Sequence, residues 1–189
     1  YLRYTTTQYG VDASIIIKDD KKGGNSELSA FSDLNIFSGK SNVENEMAIL
    51  KSRTLSLNVV NELNLDVSYF VDGRVKKSEV YDDSPIEIKA ADFGEFIVNV
   101  KNLSSIDNKV LVSKRNSYNV ANSYAKRLNV SNQGKNNIIN LNIVDPIKQR
   151  GEDYLNSIIE QYNYDAIKDR NIIADSTSSF IKRRLGIIA

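Results

Sequence analysis

Gly39-Lys40-Ser41, within NIFSGKSNVENEMAILKSR, has the ending of a phosphate-binding loop, where Lys would face the outer phosphates and Ser a magnesium ion. A complete loop needs a glycine five residues before Gly39, so that backbone amides can curl around phosphate, and position 34 is Leu. The preceding SELSAFSDLN is not the β-branched run of a buried strand that delivers such a loop. The same residues fit a helix cap. Ser41-Asn42-Val43-Glu44 has capping-box spacing, in which Ser accepts from the third helical amide and Glu reaches back to the Ser amide.

Two further patterns have catalytic spacing. Ser123-x-x-Lys126 and Ser179-x-x-Lys182 match the Ser-x-x-Lys of serine hydrolases, but Ser and Lys are abundant enough here for such matches to arise by chance, and the companion motifs are missing. The acidic pairs Asp19-Asp20 and Asp82-Asp83 lack the spaced ligands and glycine of a calcium loop and read as solvated loop residues. The chain has no His and no Cys, so an imidazole base, a Ser-His-Asp triad, a Cys nucleophile and a His/Cys zinc site are all excluded. No catalytic, cofactor-binding or metal-binding residue is assigned, and no cofactor is expected. Ten Tyr without Trp make only a faint case for a sugar-stacking surface.

Lys plus Arg number 25 against 24 Asp plus Glu, so the net charge of +1 gives no footprint for nucleic acid. At 189 residues and 41% hydrophobic, the chain can bury the core of one domain without disulfides. No run reaches the roughly 18–20 apolar residues of a spanning helix, and no signal peptide opens the sequence. Tyr1 at the start and SSFIKRRLGIIA at the end, inside a helical pattern, read as an excised piece of a longer chain.

The elements that position these residues follow from periodicity. YGVDASIIIKD places Val11, Ala13, Ile15 and Ile17 on one face of a half-buried strand. Residues 20–40 form a polar loop with Leu28, Phe31, Leu34, Ile36 and Phe37 as anchors. One two-sided helix over 42–63 carries Val43, Met47, Leu50 and Leu57 on one stripe and Ile49, Val60 and Leu63 on another, as in a helix between layers. Asp72-Gly73 suits a tight hairpin. IEIKA after Pro85 is followed by GEFIVNVKN and NKVLVSKR, two strands joined through Ser-Ser-Ile-Asp-Asn. A short helix over 119–128 and a last strand with Ile139, Leu141 and Ile143, ending at Asp145-Pro146, come next. From 146 to 189 one long helical pattern carries Ile147, Tyr154, Leu155, Ile158, Tyr162, Ala166, Ile173, Phe180 and Ile187, with Gly186 as a weak point. Spacings of three, four and seven describe a helix that leaves the domain body and packs against another helix.

In this order the pieces resemble a family. YLRYTTTQYGVDASIIIKD, NVENEMAILKSRTLSLNVVNELNL, VSYF with SEVYDDSPIEI, and INLNIVDPIKQRGEDYLNSIIEQYNYDAIKDRNIIADSTSSFIKRRL are similar to the extracytoplasmic domain of chain-length determinant proteins. These are polysaccharide co-polymerases of the Wzz type, and the similarity is nearest to the exopolysaccharide and capsule subgroup with a cytoplasmic tyrosine autokinase. The resemblance implies an α+β fold: an α/β base over 1–145, a small mixed sheet flanked by helices, and the start of a long C-terminal helix over 146–189, truncated before the coiled-coil arm. It implies a periplasmic domain of an inner-membrane protein, with spanning helices outside this chain, assembled in rings that set the length of lipopolysaccharide, capsular or exopolysaccharide chains. The implied partners are copies of the chain in lateral contact, a polysaccharide polymerase, an outer-membrane export channel and the growing polysaccharide. The arm, its returning strand and any kinase domain are not in this chain, so no kinase activity is assigned and the chain is expected not to be an enzyme. Helices 41–63 and 146–188 are the expected lateral contacts, with Leu50 and Ile158 in the core. The alternative is a module that binds the growing glycan through exposed Tyr and Asn.

Overall fold

A computed structural model describes residues 6–17, 43–72, 77–90, 96–100, 110–132 and 137–188. Strand β1 (Tyr9–Ile16) alternates as expected, with Val11 and Ile17 buried and Gly10, Asp12, Ser14 and Ile16 exposed. It pairs antiparallel with β8 (Ile138–Asp145), which in turn pairs with the short β7 (Asn129–Ser131), so β8 is the central strand. Its inward residues Ile139, Leu141 and Ile143 are fully buried, the period-two pattern of a strand covered on one face.

The single helix expected over 42–63 is two helices, α1 (Val43–Leu50) and α2 (Arg53–Glu62). The expected cap Ser41 lies outside the described residues. Ser52 caps instead: its backbone is extended and its Oγ accepts from the Leu55 amide at 3.1 Å. At about 100° per residue, Leu50 and Val59 would lie on opposite sides of one straight helix. Both are fully buried, and the break at Ser52 turns both toward one core. This is how the two-sided pattern is satisfied. α2 ends with Asn64 at φ 52°, and the Leu65 amide bonds the Val60 carbonyl at 3.0 Å, a Schellman closure with Asn where Gly is commoner.

Strands β2 (Val67–Asp72), β3 (Lys77–Val80) and β6 (Val110–Lys114) form a second sheet in the order β3-β2-β6. The register sets Asp72 opposite Lys77, so Asp72 is a paired strand residue and not a centre of a two-residue turn. β4 (Ile86–Ala90) pairs with β5 (Phe96–Val100). The two strands expected on either side of Ser-Ser-Ile-Asp-Asn belong to different ladders, β4 with β5 and β6 with β2. The Tyr69 hydroxyl accepts from the Ile88 amide at 2.7 Å and ties β4 to β2. Among the described residues every ladder is antiparallel, where a mixed sheet was expected.

α3 (Ser117–Arg127) starts earlier than its apolar spacing marks, because the Asn116 side chain accepts from the Asn119 amide at 3.2 Å. Lys126 and Arg127 sit in its last turn, where the helix dipole favours cations. α4 (Lys148–Ile188) runs unbroken for 41 residues through Gly186. The α+β class and the long C-terminal helix are as expected. The first turns of α4 lie against β1 and β8, α1 touches β7, and α2 packs against α3 and α4, so that one buried cluster joins Val11, Leu50, Val59, Val60, Val120, Tyr124, Ile139, Leu141, Ile143, Tyr154 and Ile158.

Candidate interaction surface

α4 has two unlike halves, and Asp145 with Arg150 fixes the first. Asp145 is fully buried at the end of β8, where its Oδ1 accepts from the Ile147 amide at 2.9 Å and so turns the chain into the helix at Pro146. Arg150, in the first turn of α4, donates to the same oxygen through Nε at 2.9 Å, and its Nη2 lies 2.8 Å from that oxygen in the ion pair. Its Nη1 donates to Glu79 of β3 at 2.6 Å. Arg127 of α3 and the Tyr124 hydroxyl reach Asp145 Oδ2, each at 3.4 Å. One buried carboxylate thus joins β8, α3 and α4, and Arg150 carries the link to the second sheet. Among the described residues no buried side-chain polar atom lacks a hydrogen-bond partner.

The charges and phenols respond as this packing requires. Burial favours loss of the Arg150 proton, but Tyr124, Glu79 and Asp145 outweigh it and hold the guanidinium charged beyond its ordinary range. Burial raises the Tyr124 phenol, and beside it Tyr154, whose ring centroid lies 4.5 Å away, is pushed up to about 12 by burial although the Ser56 hydroxyl at 2.8 Å draws it down. Burial also raises Tyr81, reinforced by Asp153, and Tyr162, reinforced by Glu46 of α1, to whose Oε2 the Tyr162 hydroxyl donates at 2.7 Å. All these phenols stay neutral at physiological pH and act as spacers with a polar tip.

Close approach completes the root. A Cβ at Gly151 would sit 3.0 Å from Val11 Cγ2 and 3.5 Å from Asp145 Cβ, so α4 crosses β1 so closely that a side chain there would require Val11 to give way. Tyr154, Leu155 and Ile158 then bury the helix against α2 and the sheet.

Beyond Tyr162 the helix leaves the body. Ala166, Ile173 and Phe180 continue the buried stripe at intervals of seven, and Ile187 extends it in sequence. Ile173 and Phe180 are 47% and 62% exposed, with Ile172 and Ile181 exposed at their sides. From Ile167 to the helix end the rise is roughly 33 Å, at 1.5 Å per residue. Along this length the apolar side chains face solvent and meet no other described element.

The expected core residues Leu50 and Ile158 are both fully buried. The two Ser-x-x-Lys pairs are not brought together with anything catalytic: Ser123 and Lys126 are exposed on α3, and Ser179 and Lys182 on the projecting half of α4. Asp82 and Asp83 are exposed between β3 and β4. Asp19-Asp20 and Gly39-Lys40-Ser41 lie outside the described residues. Among the described residues no group of three acidic side chains could hold a metal ion, and no helix is long and apolar enough to cross a membrane.

The Asp145–Arg150–Glu79 cluster was not expected. The signal available was Asp-Pro followed by Arg five residues on at the start of an amphipathic helix, but Glu79 is 71 positions from Arg150 and only the tertiary fold brings it there. No family model matches the sequence, and no characterised protein matches it.

Proposed function

We propose that this chain is the assembly domain of a polysaccharide co-polymerase, held in the periplasm by membrane helices outside it, and that it regulates the length of a surface polysaccharide without catalysis. The observation that carries the proposal is α4: rooted by buried ionic and apolar contacts, then projecting with Ile173 and Phe180 open to solvent. The order of sequence segments resembling chain-length determinants supports the same reading, with a small α+β base from which a long helix rises. In it, copies pack side by side through α1, α2 and α4, and the polymerase and export channel meet the assembled form. The test is the polysaccharide ladder on gels from cells carrying Ile173→Glu or Phe180→Glu in the intact protein. A shifted modal length with normal protein level is expected; a ladder unchanged in both variants contradicts the proposal.

One observation favours a second reading, direct glycan contact. The outer face of the first sheet stacks Asp12, Asn142 and Asn129 in one rung and Ser14, Asn140 and Ser131 in the next. Asn142 Nδ2 donates to Asp12 Oδ1 and the Ser14 hydroxyl to Asn140 Oδ1, both at 2.8 Å. Such an amide and hydroxyl surface matches neutral sugars. NMR titration with the purified polysaccharide should shift these six residues, and no shift at millimolar sugar removes this reading.

A further inference from the structure

Among the described residues β1 is an edge strand, paired on one side only. It is eight residues long, its register with β8 runs unbroken from Tyr9 to Ile16, and no other described strand pairs with it. The Ile17 amide bonds the Asn137 carbonyl at 2.8 Å, so odd-numbered positions are the hydrogen-bonded pairs with β8. The backbone N–H and C=O groups of Gly10, Asp12, Ser14 and Ile16 therefore point to the free edge. Edges of this kind template another strand unless blocked by Lys, Pro, a bulge or shortness. β1 has none of these, and the carboxylate of Asp12, its one charge, is held by Asn142 at 2.8 Å.

We infer that β1 is a homodimerisation edge, pairing antiparallel with β1 of a second copy about a two-fold axis at Ala13. The strand is complementary to itself in this register. Ile16, 72% exposed, falls opposite Gly10 of the second copy, where nothing lies within 4 Å of a would-be Cβ. Asp12 falls opposite Ser14, a neutral side chain, so no like charges face each other. Centring the pair on Asp12 would set two carboxylates face to face, and centring it on Ser14 would leave Tyr9 and Gly10 unpaired with β1. On the inner face Val11 meets Ile15, and Ala13 meets Ala13, so the half-buried Ala13 and Ile15 gain cover along the line of the existing core. The result is a six-stranded sheet, β7-β8-β1 joined to its symmetry mate, closed by an isologous contact. It uses none of the projecting half of α4, so it stands apart from the chain-length proposal.

Sedimentation of the 189-residue chain should show a species of twice its 21.2 kDa mass that dissociates on dilution. Ser14→Pro removes an amide that faces only the free edge, and Ile16→Lys puts a charge at an exposed position; each should give monomer with unchanged circular dichroism. Because the chain has no Cys, Ala13→Cys carries a single thiol, and a non-hydrogen-bonded pair brings its Cα to about 4.5 Å from its mate, within disulfide range. Oxidation should link Ala13→Cys into dimers. A wild-type chain that stays monomeric at roughly 100 times the concentration of an ordinary assay, a dimer that survives both edge variants, or an Ala13→Cys chain that dimerises without linking would each overturn the inference. Phe180→Glu should leave this dimer intact; its loss in that variant would place the contact on α4 and overturn it as well.

Discussion

Asp145→Asn isolates the electrostatic root of α4. The substitution keeps an oxygen for the Ile147 amide, which bonds Oδ1 at 2.9 Å, but it removes the negative charge that faces Arg150 at 2.8 and 2.9 Å. Arg150 has a side chain only 10% exposed, so its charge cannot rehydrate, and Glu79 at 2.6 Å is left as its carboxylate partner. Breaking a buried pair by removing one member costs about 3–5 kcal/mol. The surviving Glu79 contact sets the expectation at the lower end, about 3 kcal/mol, a large part of the 5–15 kcal/mol typical of a folded domain. Arg127 is 37% exposed and can turn to water, so its lost contact adds little. Urea unfolding followed by circular dichroism should show the midpoint falling by about 1–3 M, given slopes of about 1–3 kcal/mol per M. Arg150→Met leaves Asp145 buried with weak partners and should cost a similar amount, while the double variant should cost less than the sum by about 1–3 kcal/mol. Single variants that each cost under about 1 kcal/mol and add without coupling would refute the reasoning.

Two other predictions test the same root. Gly151→Leu drives a side chain into Val11 and should lower stability by about 1–3 kcal/mol in urea unfolding, despite the better helix propensity of Leu; a gain in stability would mean α4 does not cross β1 so closely. Alkaline unfolding should report Tyr154: its phenol is raised in the folded state from the ordinary value near 10 to about 12, so its contribution is complete below about pH 10 and is lost as pH rises through 12. That loss is worth roughly 3 kcal/mol for this group. Tyrosinate absorbance should therefore rise together with unfolding, and a Tyr154 titrating near 10 in the folded chain would contradict its burial.

Strands and helices with one dominant periodicity were legible in the sequence, and features that depend on distant pairing were not. β1, β8 and α4 announce themselves through Val11, Ile15, Ile139, Leu141, Ile143, Tyr154 and Ile158, each in the core or packed on it. The break at Ser52 was hidden because Ser52 follows good helix formers and shows its capping role only when Leu50 and Val59 must face the same core. The partner of β6 was hidden because hairpin pairing is local, whereas β6 joins β2 across 39 to 47 positions of sequence, from Val71 with Val110 to Val67 with Lys114. Asp145 reads in sequence only as a strand end before Pro146. Its role as the anchor of α4 needs Arg127, Arg150 and Tyr124 around it, and no local pattern carries that information. The projecting half of α4 was legible as a seven-residue apolar line, and the structure adds that this line continues, without a turn, the face that is buried at Tyr154 and Ile158.

The division of α4 into a packed root and an exposed distal half can be read directly by amide hydrogen exchange along the helix. Amides from Arg150 to about Tyr162 should exchange only with global unfolding, and those from Ile167 onward should exchange orders of magnitude faster in the dilute chain, because a helix without tertiary partners is marginal in water. On the proposed assembly, the distal half should gain protection when copies pack side by side. Uniform slow exchange from Lys148 to Ile188 in the dilute chain, unchanged on assembly, would contradict the account.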